Sequence, residues 1–580
     1  MKPLRRTRPG RGRAAWAGVV VVVLLAMLVA AAGCATIPTH GPVGKSDPVA
    51  PRNNSVNINF QQVPPPPGAT PREIIEGFIN AGTGVADGFQ VARQYLDPGL
   101  ANTWKADART LVYKNAFSIE SSAGANSYQV KFEVQSEVDN AGILTAAAGN
   151  SVESIGFSLV KVDGQWRISR VPDGIMLKSP DFATLYSAYT LYFYDPTFQY
   201  GVPDVRWLAG RASTTVTGIV RAMLNGPAPY LKGAVASAFP DGISLVRDSV
   251  PVNDGVAQVD LTAQPLLGAT VKQRQQMNAQ LLVTLQKNLN TVTSVTLRAD
   301  TRGVDLGNTG DEAPSLVIDN QVPATQVALR KNELVTFDGA TASPIARMPS
   351  VAKLNPMGPA MSYDGKHFAF GSTDGSHVYA VTPGADPVEA VTGRNLTQPS
   401  FSPGGWAWTA SGDGSGTVVA FDARKAGPDL PTAVLNVPWL AGRTVTALRI
   451  SRDGSRALVV SSAGGTSTVQ LAGILRSGDV PKELATPITL PSTGNPTLGV
   501  WVDGTSVAVM RPSTDEPVTI QVLDLKREPV ALTPLKGVQW ISAGSGDRNI
   551  RAQTSQDTYG LVGNAWGVLS KDLVQASFAG

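Results

Sequence analysis

Cysteine is almost absent: Cys34 is the only one in 580 residues. That excludes an internal disulfide and a thiolate metal cluster, so stability must come from ordinary apolar cores. Histidine is nearly as scarce, with His40, His367 and His377 alone. The commonest general base is therefore missing from the whole stretch between Gly41 and Lys366. No G-x-S-x-G, H-E-x-x-H or EF-hand loop occurs. A usable surplus of positive charge is lacking too. The chain has 49 Lys+Arg against 45 Asp+Glu, but six of the basic residues (Lys2, Arg5, Arg6, Arg8, Arg11, Arg13) precede the first acid and crowd the N-terminus. Without those six, 43 basic residues face 45 acidic ones. The basic footprint that a nucleic-acid partner requires is not there.

The N-terminal stretch has its own logic. Behind the six cations runs an apolar segment, Ala14 to Ala32, without a charge and with the Trp16 indole as its only polar group. A basic region, an apolar region and small residues before a cleavage point make a secretory signal. The same 19 residues are long enough to cross a ~30 Å hydrocarbon layer as an uncleaved anchor. Arg5-Arg6 raises twin-arginine export, but "RRTRPG" lacks the apolar residues expected after the pair, and general export fits better. "AAGC" (Ala31 to Cys34) resembles the bacterial lipobox, with Ala31 where Leu is most common. The resemblance implies that residues 1–33 are a signal peptide and that Cys34 becomes an S-diacylglycerol, N-acyl cysteine. From 34 to 68 the chain is rich in Pro, Asn, Ser and Gln, a flexible spacer from the membrane. "GPVGKS" within it mimics a phosphate loop, but Thr39 stands where the first glycine must be, so Lys45 is read as a solvated linker residue.

Three folded units are predicted beyond the spacer. Residues 69–185 open with "ATPREIIEGFINAG", where Thr70 caps a helix, Pro71 fits its first position and Glu73 completes a capping box. Ile74, Ile75, Phe78 and Ile79 share one face. A second helical stretch falls at 89–96. Alternation in "SYQVKFEVQSEV" and a turn at Asp163-Gly164 then predict antiparallel strands. Helices followed by a curved sheet ending in "DGQWRIS" resemble the NTF2-like cone fold. Asp97 and Asp107 are acids that such a pocket could recruit, although caps and surface positions are the commoner roles of lone aspartates.

Residues 186–310 read as strand, helix, two strands, helix, strand. The strand "YTLYFYDP" precedes a helix striped by Val216, Ile219, Val220, Met223 and Leu224, stopped at Gly226-Pro227. A hairpin turning at Asn253-Asp254-Gly255 leads to a helix through Met277, Leu281, Leu285 and Leu289, then to "VTSVTLRAD". "LYFYDP", "LNGP", "FPDGI" and "VAQVDL" together resemble the GerMN domain of sporulation and germination proteins. The cluster Tyr186, Tyr189, Tyr192, Phe193, Tyr194, Phe198 and Tyr200 suits either a stacking surface for sugar or peptide or an inter-domain seam, and its position at a boundary favours the seam.

Residues 311–580 repeat. Asp-Gly or Gly-Gly turns recur at 364–365, 404–405, 453–454 and 503–504, each followed by an apolar strand, a polar turn and another apolar strand. A period of ~40–50 residues with short antiparallel strands predicts a β-propeller, here of about six blades. Fainter copies lie in "RKNELVTFDGATASPIARM" and "GSGDRNIRAQTSQDTYGLVG". His367 and His377 fall on opposite faces of their hairpin and cannot share a metal. Asp413, in "SGDGSG", lacks the further acids that calcium needs. Neither a metal nor a cofactor is expected.

Signal, lipidated cysteine, NTF2-like unit, GerMN unit and propeller, in this order and with the phrase "YFYDPTFQYGVPDVRWLAG", resemble the LpqB family of actinobacterial lipoproteins. The resemblance implies a non-enzymatic accessory, lipid-anchored on the outer face of the cytoplasmic membrane. It also implies contact with the extracellular domain of the sensor kinase MtrB of the MtrA–MtrB two-component system, and a role in envelope homeostasis and division. Two alternatives remain from the residues themselves: a glycan-processing envelope hydrolase using a carboxylate, and a structural protein that binds cell-wall polymer.

Overall fold

The computed structural model describes residues 62–580, apart from 125, 148–150, 211, 308–314, 426, 428–429, 547–548 and 572. The leader, Cys34, His40, Lys45 and nearly all of the spacer lie outside the described residues.

The first module begins with the helix Pro71–Ala81, whose capping box closes as expected: the Glu73 carboxylate accepts from the Thr70 N–H at 2.7 Å, and the Thr70 hydroxyl accepts from the Glu73 N–H at 3.4 Å. Its buried face is Ile74, Ile75, Phe78 and Ile79. Phe78 meets Trp104 and Phe157 edge-on, with centroids 5.3 and 6.2 Å away. The helix packs on a seven-stranded sheet whose main path runs Gln165–Arg170, Val152–Val162, Ser127–Asp139, Arg109–Tyr113, Ile175–Lys178. Asp163 and Gly164 both take positive φ and turn the predicted hairpin.

In the second module the structure adds a strand to the predicted order. Tyr186–Tyr194 pairs along its whole length with Gly201–Ala209, a segment not predicted as strand. The cause is Asp195: its carboxylate accepts from the N–H groups of Thr197, Gln199 and Tyr200 and folds the chain back at once. The other edge of Tyr186–Tyr194 meets a helix, Val271–Asn288, instead of a neighbouring strand. Gln280 donates to the Tyr192 carbonyl, Thr284 accepts from the Tyr192 N–H, and Asn288 accepts from and donates to the Thr190 backbone. Side chains four apart on one helix face thus satisfy a strand edge that would otherwise stand open. The remaining sheet is small: Val252–Asn253, Val256–Leu261, Ser294–Ala299 and Arg302–Gly303 in that order, with the two central strands parallel. The first arm of the predicted hairpin shrinks to Val252–Asn253 and a single bridge from Leu245 to Leu261.

The third module is a ring of six antiparallel sheets, each of four or five strands. Val574–Ser577, near the C-terminus, pairs with Gln326–Arg330 in the first sheet, so the ring is closed between its ends. The repeated turn has a mechanism. In Ser362-Tyr363-Asp364-Gly365 the Asp364 carboxylate accepts from the Ser362 hydroxyl and the Lys366 N–H, while the Ser362 hydroxyl oxygen accepts from the His367 N–H. The same three bonds recur at Ser372–His377 and Ser451–Arg456. Gly365, Gly375 and Gly454 supply the positive φ that ends each turn. The Ser372 hydroxyl, followed by the Ser376 N–H, holds Asp374 down to about 2 from an ordinary 3.8. A depressed carboxyl stabilises the fold above its unfolded value and loses that contribution as pH falls through the folded one. The Asp374 turn is therefore expected to tighten above pH 3.8 and loosen toward pH 2. Carboxyl chemical shifts followed by NMR check this.

Second module and propeller share a core. Ala228, Tyr230 and Leu231, with Val202 of the hairpin and Ile143 of the first module, pack among Leu458, Val460, Leu471, Trp501 and Val507 of the fourth and fifth sheets. Gly473 is where the approach is tightest: a Cβ there would lie 2.5 Å from the Tyr230 carbonyl oxygen and 2.7 Å from the Ala234 Cβ. Gly473→Ala is expected to destabilise the docked form by about 1–3 kcal/mol, since backbone rather than a swinging side chain must yield. Thermal unfolding followed by Trp501 emission measures it.

Candidate binding crevice between the second module and the propeller

Above the shared core the two modules part into a crevice of about 490 Å³. One wall is the hairpin, with Tyr192 and Pro203, and the segment Asp319–Gln321. The other is made by propeller turns: Asp453 from the fourth sheet, and Asp503, Asp524, Lys526 and Arg527 from the fifth. Four carboxylates facing one space invite a catalytic reading, but most already have a structural partner. Asp453 holds Arg456 at 2.5 Å, beneath the crevice floor. Arg456 is fully buried and lies 4.9 Å over the Trp501 ring. Burial alone would depress its guanidinium, yet Asp453 beside it keeps it above its ordinary value. Asp524 pairs with Arg527 at 2.9 Å and Asp319 with Lys287 at 3.2 Å. Asp503 uses Oδ1 to accept from the Thr505 and Ser506 N–H groups at 2.7 and 2.8 Å; it forms no direct ion pair among the described residues, and the buried Arg452 and Arg456 feel its charge at longer range.

Beneath the crevice lies a second buried cluster. In strand Gly201–Ala209, Arg206 grips Asp204 through two bonds of 2.7 Å. The same guanidinium donates to the carbonyls of Ala141 in the first module, at 2.6 Å, and Gly226 in the second, at 3.1 Å. Asp204 also accepts from the Ala228 N–H at 2.8 Å. Trp207 reaches the propeller, donating to the Leu525 carbonyl at 3.1 Å. A few residues of "VPDVRW" thus touch all three modules.

The propeller's central channel, where many propellers hold ligands, is plugged by Arg449, Arg452, Tyr363, Trp501 and Phe578, with about 50 Å³ left. Arg449 donates to the carbonyls of Gln398 and Leu448, and burial pushes its guanidinium down to about 10. Arg452 donates to the Gly544 carbonyl at 2.8 Å.

The residues singled out from sequence fall mostly into structural work. Asp97 caps the helix Pro98–Thr103, and Asp107 lies in a short 3-10 turn. Asp413 accepts from the Ser415 N–H at 3.0 Å. His367 meets the Thr382 hydroxyl and His377 faces Glu389 at 3.2 Å, so the two imidazoles have separate partners. Among the described residues no group of three or more His, Cys, Asp or Glu is placed to hold a metal. Of the aromatic cluster, Tyr192, Phe193 and Tyr194 are buried, and Tyr186 packs on Phe182 and donates to or accepts from Thr110. Phe198 is 37% exposed. Sequence reasoning missed Asp204, Arg206, Arg452 and Arg456. The signal was present in "SRDGSR": the turn motif there carries arginines where its sister turns carry Tyr363 and His367.

Fold and crevice together define a class: a multidomain scaffold in which an α+β module, a GerMN-type module and a closed propeller share one core. Comparison with known proteins narrows it. Residues 64–183 match the model for the lipoprotein LpqB N-terminal domain, 190–304 that for sporulation and spore germination, and 332–575 that for the lipoprotein LpqB beta-propeller domain. The chain is 29% identical over 545 residues to lipoprotein LpqB of Rhodococcus opacus, covering 87% of each. With lipoprotein LpqB of Mycolicibacterium smegmatis it shares 27% over 542 residues, covering 87% of this chain and 88% of the other. Among solved structures, the tandem GerMN domains of GerM from Bacillus subtilis align at 14% identity and a TM-score of 0.18, over 26% of this chain and 58% of that one. The chain belongs to the LpqB family of lipoproteins.

Proposed function

We propose that this protein is a non-enzymatic accessory, lipid-anchored through Cys34 on the outer face of the cytoplasmic membrane, that modulates the MtrA–MtrB system by binding the extracellular domain of MtrB. Through that contact it acts on envelope homeostasis and division. The observation that supports this reading best is the shared core: three modules locked together present a surface of fixed shape. A binding partner shifts a kinase only by favouring one of its states, and a rigid surface discriminates between states better than jointed modules do. A second observation weighs against the hydrolase alternative: the acids singled out from sequence are engaged in local structure, with Asp97 capping a helix and Asp413 closing a turn.

The test is crosslinking in intact cells, followed by identification of captured proteins. MtrB is expected among them, and capture is expected to fall when the chain is released from the membrane. Repeated capture of other envelope proteins without MtrB would overturn the partner.

A further inference from the structure

We propose that the crevice binds a zwitterionic ligand of the amino-acid or short-peptide class, its ammonium held by Asp503, Tyr192 and Asn320 and its carboxylate by Lys526. Once the internal pairs of Asp453, Asp524 and Asp319 are set aside, two opposite charges on the fifth sheet are left over. Asp503 keeps Oδ2 without a bonded partner after its turn is capped. The Lys526 ammonium bonds nothing among the described residues; only its backbone N–H is engaged, by Asp524. The two form no ion pair with each other, so the space between them can be bridged by a molecule that carries both charges.

Two polar groups on the opposite wall point the same way. Tyr192 is 7% exposed as a residue and lines the crevice, where its hydroxyl bonds no protein group among the described residues and stays accessible. Burial, with Asp319 nearby, raises its pKa, so the group is a neutral hydroxyl at any physiological pH. Asn320 donates through Nδ2 to the Arg452 carbonyl at 2.7 Å, which fixes the amide, while its Oδ1 is buried and unpartnered. Buried acceptors are rarely left unpaired in a finished fold. A hydroxyl, an amide oxygen and a carboxylate oxygen lining one crevice match a primary ammonium, which brings three donors. The volume, about 490 Å³, lies in the range of small-molecule sites. No metal-ligand group occurs there among the described residues. The inference does not depend on which protein the chain meets.

The experiment is calorimetric titration of the full chain in detergent micelles with tri-alanine, N-acetyl-tri-alanine and tri-alanine amide. Saturable binding of tri-alanine is expected, with each blocked form weaker by about tenfold or more, because each removes one charge-assisted contact. Asp503→Asn keeps the Oδ1 that caps the turn and removes the charge. It is expected to weaken tri-alanine about tenfold while leaving the N-acetyl form unchanged. Lys526→Gln should show the mirror pattern with the amide. Tyr192→Phe removes an unpartnered hydroxyl, so it should weaken binding without lowering the melting temperature. Absence of saturable binding up to about 10 mM, equal binding of the blocked peptides, or intact binding by the Asp503→Asn, Lys526→Gln double variant overturns the assignment. The blocked-peptide comparison needs no variant, so a misfolded mutant does not spare the proposal.

Discussion

Arg206→Ala is expected to cost about 3–5 kcal/mol, one of the largest losses available to a single substitution in this chain. The side chain is 3% exposed and Asp204 is 0% exposed, so neither charge has water to fall back on. Alanine would leave the Asp204 carboxylate buried with only the Ala228 N–H to satisfy it, and would orphan the carbonyls of Ala141 and Gly226. Those carbonyls belong to the first and second modules, so the damage should appear as loosened docking before any module unfolds. Burial pulls the Arg206 pKa down, but Asp204 more than offsets it, and the guanidinium stays charged. Arg206→Lys is expected to fail nearly as badly, because a single ammonium cannot reproduce a planar fork that serves a carboxylate and two carbonyls at once. The double variant Asp204→Ala, Arg206→Ala should cost less than the sum of the singles, since no lone charge is left behind. Denaturant unfolding read through Trp207, whose indole donates to the propeller's Leu525 carbonyl, follows the seam directly. A single variant within about 1 kcal/mol of wild type would show that this cluster does not hold the modules together.

That cluster also marks where sequence reading ended. The helix Pro71–Ala81 was legible because cap, first-turn proline and apolar stripe lie within one short window. The propeller was legible because Asp-Gly and Gly-Gly turns recur between apolar strands, and the structure shows that three Ser-x-Asp-Gly turns share one hydrogen-bonding pattern. Strand Gly201–Ala209 was not, since Pro203, Asp204 and Arg206 are residues that a strand pattern penalises. They are tolerated because Asp204 and Arg206 pair inside a seam that the local sequence cannot reveal. The same holds for the crevice. Arg456 approaches the Pro203 carbonyl across 253 positions, and Asn320 reaches Arg452 across 132. Contacts at such separations are products of docking, and one-dimensional periodicity carries no trace of them. The seam reading of the aromatic cluster came from its place at a boundary; Tyr186 packs there on Phe182, whereas Tyr192 and Tyr194 cluster with Leu316, and Tyr194 donates to the Gln276 carbonyl of the second module's own helix. The unpartnered hydroxyl of Tyr192 became visible only with the wall that faces it.

Cys34→Ala is expected to move the protein from the membrane fraction to the aqueous one, with slower removal of residues 1–33. The physical argument rests on acyl chains. At about 0.8 kcal/mol per buried CH₂, a chain of roughly a dozen methylenes contributes on the order of 10 kcal/mol, and a second chain converts reversible binding into stable anchoring. On the proposed reading, alanine removes the thiol that accepts the diacylglycerol and, with it, the cysteine N-terminus that takes the third chain. Nothing else described replaces that anchor: among the described residues no helix is long and apolar enough to cross a membrane. The competing source of membrane affinity is the run from Ala14 to Ala32, which persists if the leader is never cut. The two are separated by mass spectrometry of the N-terminal peptide together with fractionation. Wild type should begin at Cys34 and carry the mass of its lipids. The variant should lack that mass and lose its membrane pool. A wild-type chain that keeps Met1 would assign anchoring to the apolar helix, and a wild-type chain with a bare thiol would remove the lipid anchor altogether. The result also bears on MtrB. A partner met at the membrane surface is captured at the high local concentration that anchoring provides, so releasing the chain should lower crosslinking even though the crevice and the shared core are untouched.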